Sequence, residues 1–219
     1  VEPCDHPGMR KFLPPDLTSY DLFKTFALVT MVVDHVGYYF LPEDLWLRAI
    51  GRVSAPVWFF LIGYANSRDL GEKMWGGLIL LVAANLVVGL PVFPLNILAT
   101  MIFIRLVIDL AMQRAIRSYE TLLGVSLIAV FLVIPAMNFW EYGTAGLLFA
   151  MYGAMRRHPE ALGHLPRNSD TLFIALVTVF YLGFQSAVFG FDRVQALCIA
   201  MGLLPVIGWM AAFRPQTYP

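Results

Sequence analysis

Apolar residues in this chain come in long, nearly unbroken runs, without the alternation of a strand or the single stripe of a soluble helix. Eight such segments lie at roughly 19–40, 48–66, 75–91, 95–112, 121–138, 142–156, 171–190 and 193–213. They approach the ~20 residues that an α-helix needs to cross the hydrocarbon core of a bilayer. Stretches such as Leu78 to Leu90 carry no polar face for water at helical period. The pattern predicts an all-α, polytopic transmembrane helix bundle of about eight spanning helices. Its short connections would make consecutive helices antiparallel neighbours. Residues 1–18, rich in proline and charge (Pro3, Pro7, Pro14, Pro15, Arg10, Lys11), read as a tail, 19–213 as one transmembrane domain and 214–219 as a second tail. The first apolar run starts near Leu22 and is long enough for a retained span, longer than the apolar core of a cleavable signal.

Composition agrees with that pattern. Of 219 residues, 59% are hydrophobic and 14% charged, and mean hydropathy is +0.70. A soluble domain is about half apolar and a quarter charged. Zero net charge without a basic run argues against nucleic acid as a partner. The two cysteines, Cys4 and Cys198, offer neither a disulfide framework nor a CxxC metal pair. The loop 156–170 holds His158 and His164 but no ligand set at metal spacing, so it reads as a solvated connector with no metal.

Basic residues set the orientation, because cytoplasmic loops collect Lys and Arg. With the amino terminus inside, the inner side holds Arg10, Lys11, Arg68, Lys73, Arg114, Arg117, Arg156, Arg157, Arg167 and Arg214, and the outer side Arg48 and Arg193. Both termini are then cytoplasmic. Lys24, Arg52 and Arg105 fall within spans, where ionisable groups are costly and by default mark a functional site.

The first segment carries the most unusual set, KTFALVTMVVDH from Lys24 to His35. At about 100° per residue, Lys24 and His35 leave the same helix face some 16 Å apart along the axis. Asp34 and His35 end helix one near the outer surface. Arg48 and Arg52 begin helix two there, Asn96 and Thr100 begin helix four, and Glu141, Tyr142 and Gly143 begin helix six. Each residue also has an ordinary explanation. His35 can be a packed histidine, Arg52 the counter-ion of Asp34 or Glu141, and Lys24 a side chain that snorkels to headgroups. Arg105 and Asp109, four residues apart, suit an intrahelical ion pair. Gly76-Gly77, Ala83-Ala84 and the small residues from Gly143 to Gly146 suit close helix packing, and Pro56, Pro91, Pro135 and Pro205 suit kinks or helix ends.

The functional reading of the same residues is acyl transfer. A histidine takes a proton from an attacking amine or hydroxyl near neutral pH, and a nearby arginine stabilises the oxyanion formed on a carbonyl. Asp34 leaves the helix about 100° from His35, so it is better placed to hold Arg52. Neither a GxSxG elbow nor an HExxH motif is present.

LVTMVVDHVGYYF in helix one, LRAIGRVSAPVWFFLIGYANSRD in helix two, PLNILAT at the start of helix four and EYGTAGLL at the start of helix six stand in that order over residues 20 to 155. In these motifs the chain resembles the TraX family of integral-membrane proteins, named for the F-pilin acetylase. That family is similar to a wider superfamily of membrane acyltransferases, many of which carry a basic residue, ten intervening positions and a histidine in the first span. The resemblance implies acetyl-CoA as cytoplasmic donor, His35 as catalytic base and Arg52 at the reaction centre. It also implies Lys24 at the thioester or phosphates of CoA, with Arg105 on the same donor side, and Arg48, Asn96, Thr100, Glu141 and Tyr142 around the acceptor. It further implies a location in a bacterial inner membrane and a pilin amine or other envelope acceptor. The same base and donor would serve a periplasmic glycan hydroxyl. A small transporter and an assembly factor of a secretion or conjugation apparatus are the non-enzymatic alternatives.

Overall fold

The computed structural model describes residues 16–218; Cys4, Arg10, Lys11 and the prolines of the expected amino-terminal tail lie outside them. Helix α1 (Ser19–Phe40) starts at a capping box, in which the side chains and backbones of Thr18 and Asp21 bond reciprocally. Its inward stripe is Phe23, Ala27, Asp34 and Gly37, a helical spacing that turns one face to the core.

The second apolar segment folds as two helices, α2 (Trp46–Gly51) and α3 (Ser54–Tyr64). Pro56 explains the interruption. It has no N–H to offer the carbonyl of residue 52, one turn earlier. The backbone at Arg52 and Val53 stays near helical angles but leaves the regular ladder.

Helix α4 (Glu72–Val87) has no buried residue, and α5 (Ile97–Ala115) follows a loop. The fifth apolar segment is again divided, into α6 (Tyr119–Phe131) and the short α7 (Val133–Ala136), which contains Pro135. Helix α8 (Ala145–Arg157) is buried along most of its length. A 3-10 turn at Pro159–Leu162 leads to α9 (Ser169–Phe189) and α10 (Arg193–Ala212), the latter with Pro205 inside it. Each of the eight apolar segments thus coincides with one helix or a broken pair. Two of them, α9 and α10, are long and apolar enough to cross a membrane.

Helices α3 and α8 form the centre. A Cβ on Gly63 would strike the backbone of Ala150, and one on Gly153 would strike the carbonyl of Phe60, so these two glycines set how closely the pair packs. Gly146, in the small-residue run expected to permit close packing, meets the ring of Phe59. Gly76 does not play that part, because a Cβ there would meet open space. Around the central pair, Phe23, Phe60, Tyr64 and Phe213 make edge and stacked ring contacts. By contrast Ile79, Leu80, Val87, Phe131, Ile134 and Leu204 are exposed. Apolar surface of that extent marks contact with a membrane or a protein partner.

The short segments before α1 and after α10 pair with each other. Strand β1 (Leu17–Thr18) pairs antiparallel with β2 (Thr217–Tyr218), Leu17 opposite Tyr218. Ser19 N–H donates to the Gln216 carbonyl at 2.9 Å. This ladder brings the starts of α1 and the segment after α10 to one end of the bundle.

Candidate functional site at the far end of the bundle

At the opposite end of α1, Gly51 brings α2 against it: any Cβ on Gly51 would collide with the Cβ and backbone of Asp34. That approach puts Asp34 next to the turn between α2 and α3. Arg52 Nη2 donates to both Asp34 carboxylate oxygens, and Nε donates to Oδ1 at 3.2 Å. The two side chains are 4% and 13% exposed, so neither charge would be tolerated there without the other. Asp34 therefore holds Arg52, as its angle from His35 requires.

The carbonyl that Pro56 leaves without a helical donor is also satisfied. Tyr181 of α9, fully buried, donates its hydroxyl to the Arg52 carbonyl at 2.8 Å. Phe189, two turns along the same α9 face, lies under the Arg52 guanidinium at 4.5 Å and under that of Arg48 at 4.9 Å. Arg48 Nε is 3.6 Å from Asp34 Oδ1, an ion pair without a hydrogen bond.

A third wall comes from the turn before α8. Tyr142 has φ +63° and Gly143 φ +50°, left-handed geometry that a tyrosine adopts only when its surroundings impose it. Trp140 Nε1 donates to the Gly143 carbonyl at 3.0 Å and holds the turn. The result places the Tyr142 hydroxyl 3.4 Å from Arg52 Nη1. Backbone bonds between Leu95 and residues 139 and 141 fasten this turn to the start of α5. There Thr100 donates its hydroxyl to the Glu141 carbonyl, and Asn96 caps α5 by accepting from Leu98 N–H at 3.0 Å.

The structure thus brings Asp34, Arg48, Arg52 and Tyr142 into one cluster, with Asn96, Thr100 and Glu141 beside it. His35 is on the rim. It is exposed, and its Nδ1 sits 2.8 Å from the Met31 carbonyl.

Lys24 and Arg105 are not part of this cluster. Lys24 is exposed near the start of α1, one position round from the buried Phe23. The Lys24–His35 stripe therefore lies on the outer face of α1, because Phe23, Ala27 and Gly37 allow closer packing than a lysine or histidine would. Arg105 donates through Nη1 to the Asp69 carbonyl at 2.5 Å. The expected intrahelical pair with Asp109 does not form. Asp109 instead accepts from Arg68 Nε at 3.0 Å, while Arg68 Nη1 bonds the carbonyls of Ile62 and Ala65 at the end of α3. Arg68 wins because its fork satisfies the open helix end and the carboxylate together. Among the described residues, no three of His, Cys, Asp and Glu gather as metal ligands would.

Three residues of α9, Tyr181, Gln185 and Phe189, were missed by sequence reasoning. Tyr181 and Gln185 sit in an apolar run without a motif around them. Gln185 is fully buried, with both amide atoms lacking a hydrogen-bond partner among the described residues. Their signal was spacing: Tyr181, Gln185 and Phe189 recur every four residues and share one helix face.

Comparison with known proteins places this geometry in a family. A 146-residue region is 28% identical to Protein TraX of Escherichia coli, covering 64% of this chain and 57% of that protein. A 48-residue region is 48% identical to the uncharacterized protein RP591 of Rickettsia prowazekii, covering 22% of this chain and 19% of the relative. The matched regions thus span little more than half of one curated relative and about a fifth of the other. No solved structure matches. The family model described as TraX protein matches residues 19–217, nearly the whole chain and every element of the cluster, so this chain belongs to the TraX family.

Proposed function

We propose that this protein is an integral-membrane acyltransferase that moves an acetyl group from cytoplasmic acetyl-CoA to an acceptor at the outer face of a bacterial inner membrane. The acceptor is a pilin amino-terminal amine, with His35 as general base. The observation that carries the reading is the histidine's hydrogen bond. Its Nδ1 faces a carbonyl, which can only accept, so Nδ1 holds a proton and, in the neutral imidazole, Nε2 carries the lone pair. That is the tautomer a base needs, held on the rim of a buried guanidinium pair.

In this mechanism His35 Nε2 removes a proton from the acceptor amine as its nitrogen attacks the thioester carbonyl. The positive charge of Arg52, fixed by Asp34 and Tyr142, offsets the developing oxyanion. Collapse of the tetrahedral intermediate breaks the carbon–sulfur bond, and the proton on Nε2 passes to the departing CoA sulfur. Lys24, eleven positions earlier on the same outer face of α1, serves the donor from the end where β1 and β2 pair. Arg105 would serve the same donor side.

The membrane reading rests on eight helical segments, an exposed apolar surface and an orientation of ten basic residues against two. Both ends of the described chain meet in one ladder, which suits an even number of spans.

The test is release of free thiol from acetyl-CoA by detergent-purified protein, with wild type beside His35→Ala and Lys24→Ala. Wild type is expected to release thiol, His35→Ala to lose that activity while remaining folded, and Lys24→Ala to need more acetyl-CoA. Wild-type turnover in folded His35→Ala removes the base from the mechanism.

A further inference from the structure

Arg48 has a rigid, unused set of donors. Its guanidinium lies between two aromatic rings, with Cζ 4.8 Å from the Tyr38 ring centroid and 4.9 Å from that of Phe189. Those rings fix the plane of the fork without using any of its N–H groups. Arg52 takes both oxygens of Asp34, the one carboxylate paired with either arginine. Arg48 Nε is buried 3.6 Å from Asp34 Oδ1, and neither terminal nitrogen donates a hydrogen bond among the described residues. The side chain keeps 15% of its surface open.

A planar guanidinium matches the two oxygens of a carboxylate or phosphate. We infer that Arg48 is a preformed site for a single carboxylate or phosphate group, clamped by Tyr38 and Phe189 at the edge of the Arg52–Asp34 pair. Two sources could supply that group, an acceptor bearing a negative charge near its nucleophile or the headgroup of an anionic lipid. Assigning the site to the acceptor rests on the acyltransferase reading; the site itself rests on the clamp and the open donors.

The experiment uses full-length protein in phosphatidylcholine nanodiscs and equilibrium dialysis of radiolabelled methyl phosphate and acetate, with no acetyl-CoA present. Wild type is expected to bind at least one probe. Arg48→Met should weaken binding at least tenfold, and Arg48→Lys, which keeps the charge but not the fork, at least fivefold. Tyr38→Leu removes one ring at an exposed position and should cost about threefold, which keeps the test open if an Arg48 variant fails to fold. Repeating the dialysis in nanodiscs containing phosphatidylglycerol separates the sources. Displacement of the probe by that lipid identifies a headgroup as occupant, and undiminished binding identifies a soluble anion; either supports the site. Wild-type binding in Arg48→Met or Arg48→Lys, or no binding of probe or anionic lipid by folded wild type, overturns it. Binding and thiol release are read separately, so anion binding without turnover would leave this site standing and remove only the enzyme.

Discussion

Replacing Tyr181 with phenylalanine tests the account of the α2–α3 break. The ring would remain edge-on to Phe149 at 5.3 Å, so the change removes only the hydroxyl that donates to the Arg52 carbonyl. Because Pro56 supplies no N–H, that carbonyl would then be buried without a donor. An orphaned buried acceptor costs about 1–3 kcal/mol; the middle of that range, ~2 kcal/mol, lowers the folding constant by about 30-fold. The decisive comparison is the same change in a Pro56→Ala background. Alanine restores an N–H one turn beyond Arg52, where the near-helical backbone lets it reach the same carbonyl. There Tyr181→Phe should cost less than about 1 kcal/mol, leaving a coupling of about 1 kcal/mol or more between residues that do not bond each other directly. Reversible unfolding in mixed detergent micelles, with all four proteins measured side by side, gives the cycle. Equal costs of Tyr181→Phe in both backgrounds would refute the idea that proline created the acceptor that tyrosine fills.

Asp34→Asn leaves two guanidiniums without their carboxylate and should destabilise by about 3–5 kcal/mol, read as a fall in melting temperature; pairing Asp34→Leu with Arg52→Met should recover most of it. Gly63→Ala drives a methyl into the Ala150 backbone and should cost about 1–3 kcal/mol or more. Gly76→Ala meets open space and should be neutral or stabilise by up to about 1 kcal/mol, a contrast that thermal unfolding would reveal. At the other end of the bundle, Asp109→Asn should cost about 0.2–1 kcal/mol in wild type and in Arg105→Met but nothing in Arg68→Met, which a double-mutant cycle would show.

The helices were legible because long apolar runs leave few alternatives, and every predicted segment is helical. The Asp34–Arg52 pair was legible from angle and order along the chain. The face of α1 that turns inward was not. Charge drew attention to Lys24 and His35, while Phe23, Ala27 and Gly37 decided the packing by shape. The Arg105–Asp109 spacing was sound locally and lost to Arg68, whose advantage depends on a loop position that sequence does not give. Tyr142 looked like one more polar residue at a helix end. Its left-handed backbone, which aims the hydroxyl at Arg52, depends on a clasp between residues 95 and 141 that lie far apart in the chain. Gln185 and Tyr181 were hidden because a buried polar group in an apolar run gains its meaning only from the helix opposite.

If α1 and α3 span the membrane as proposed above, the Asp34–Arg52 pair also bears on how the chain enters the bilayer during synthesis. An arginine at the centre of an inserting helix costs about 2.5–3.5 kcal/mol on the scale of the cellular insertion machinery. Arg52 lies near the start of its apolar segment, where the cost is below that central figure, and its carboxylate is only 18 residues upstream, on α1. In the proposed transmembrane topology, α1 and α3 would leave the translocon as one hairpin with Arg52 already paired. Separating them by a long insertion in the 41–45 connection should delay integration of the second segment far more than it disturbs the finished fold.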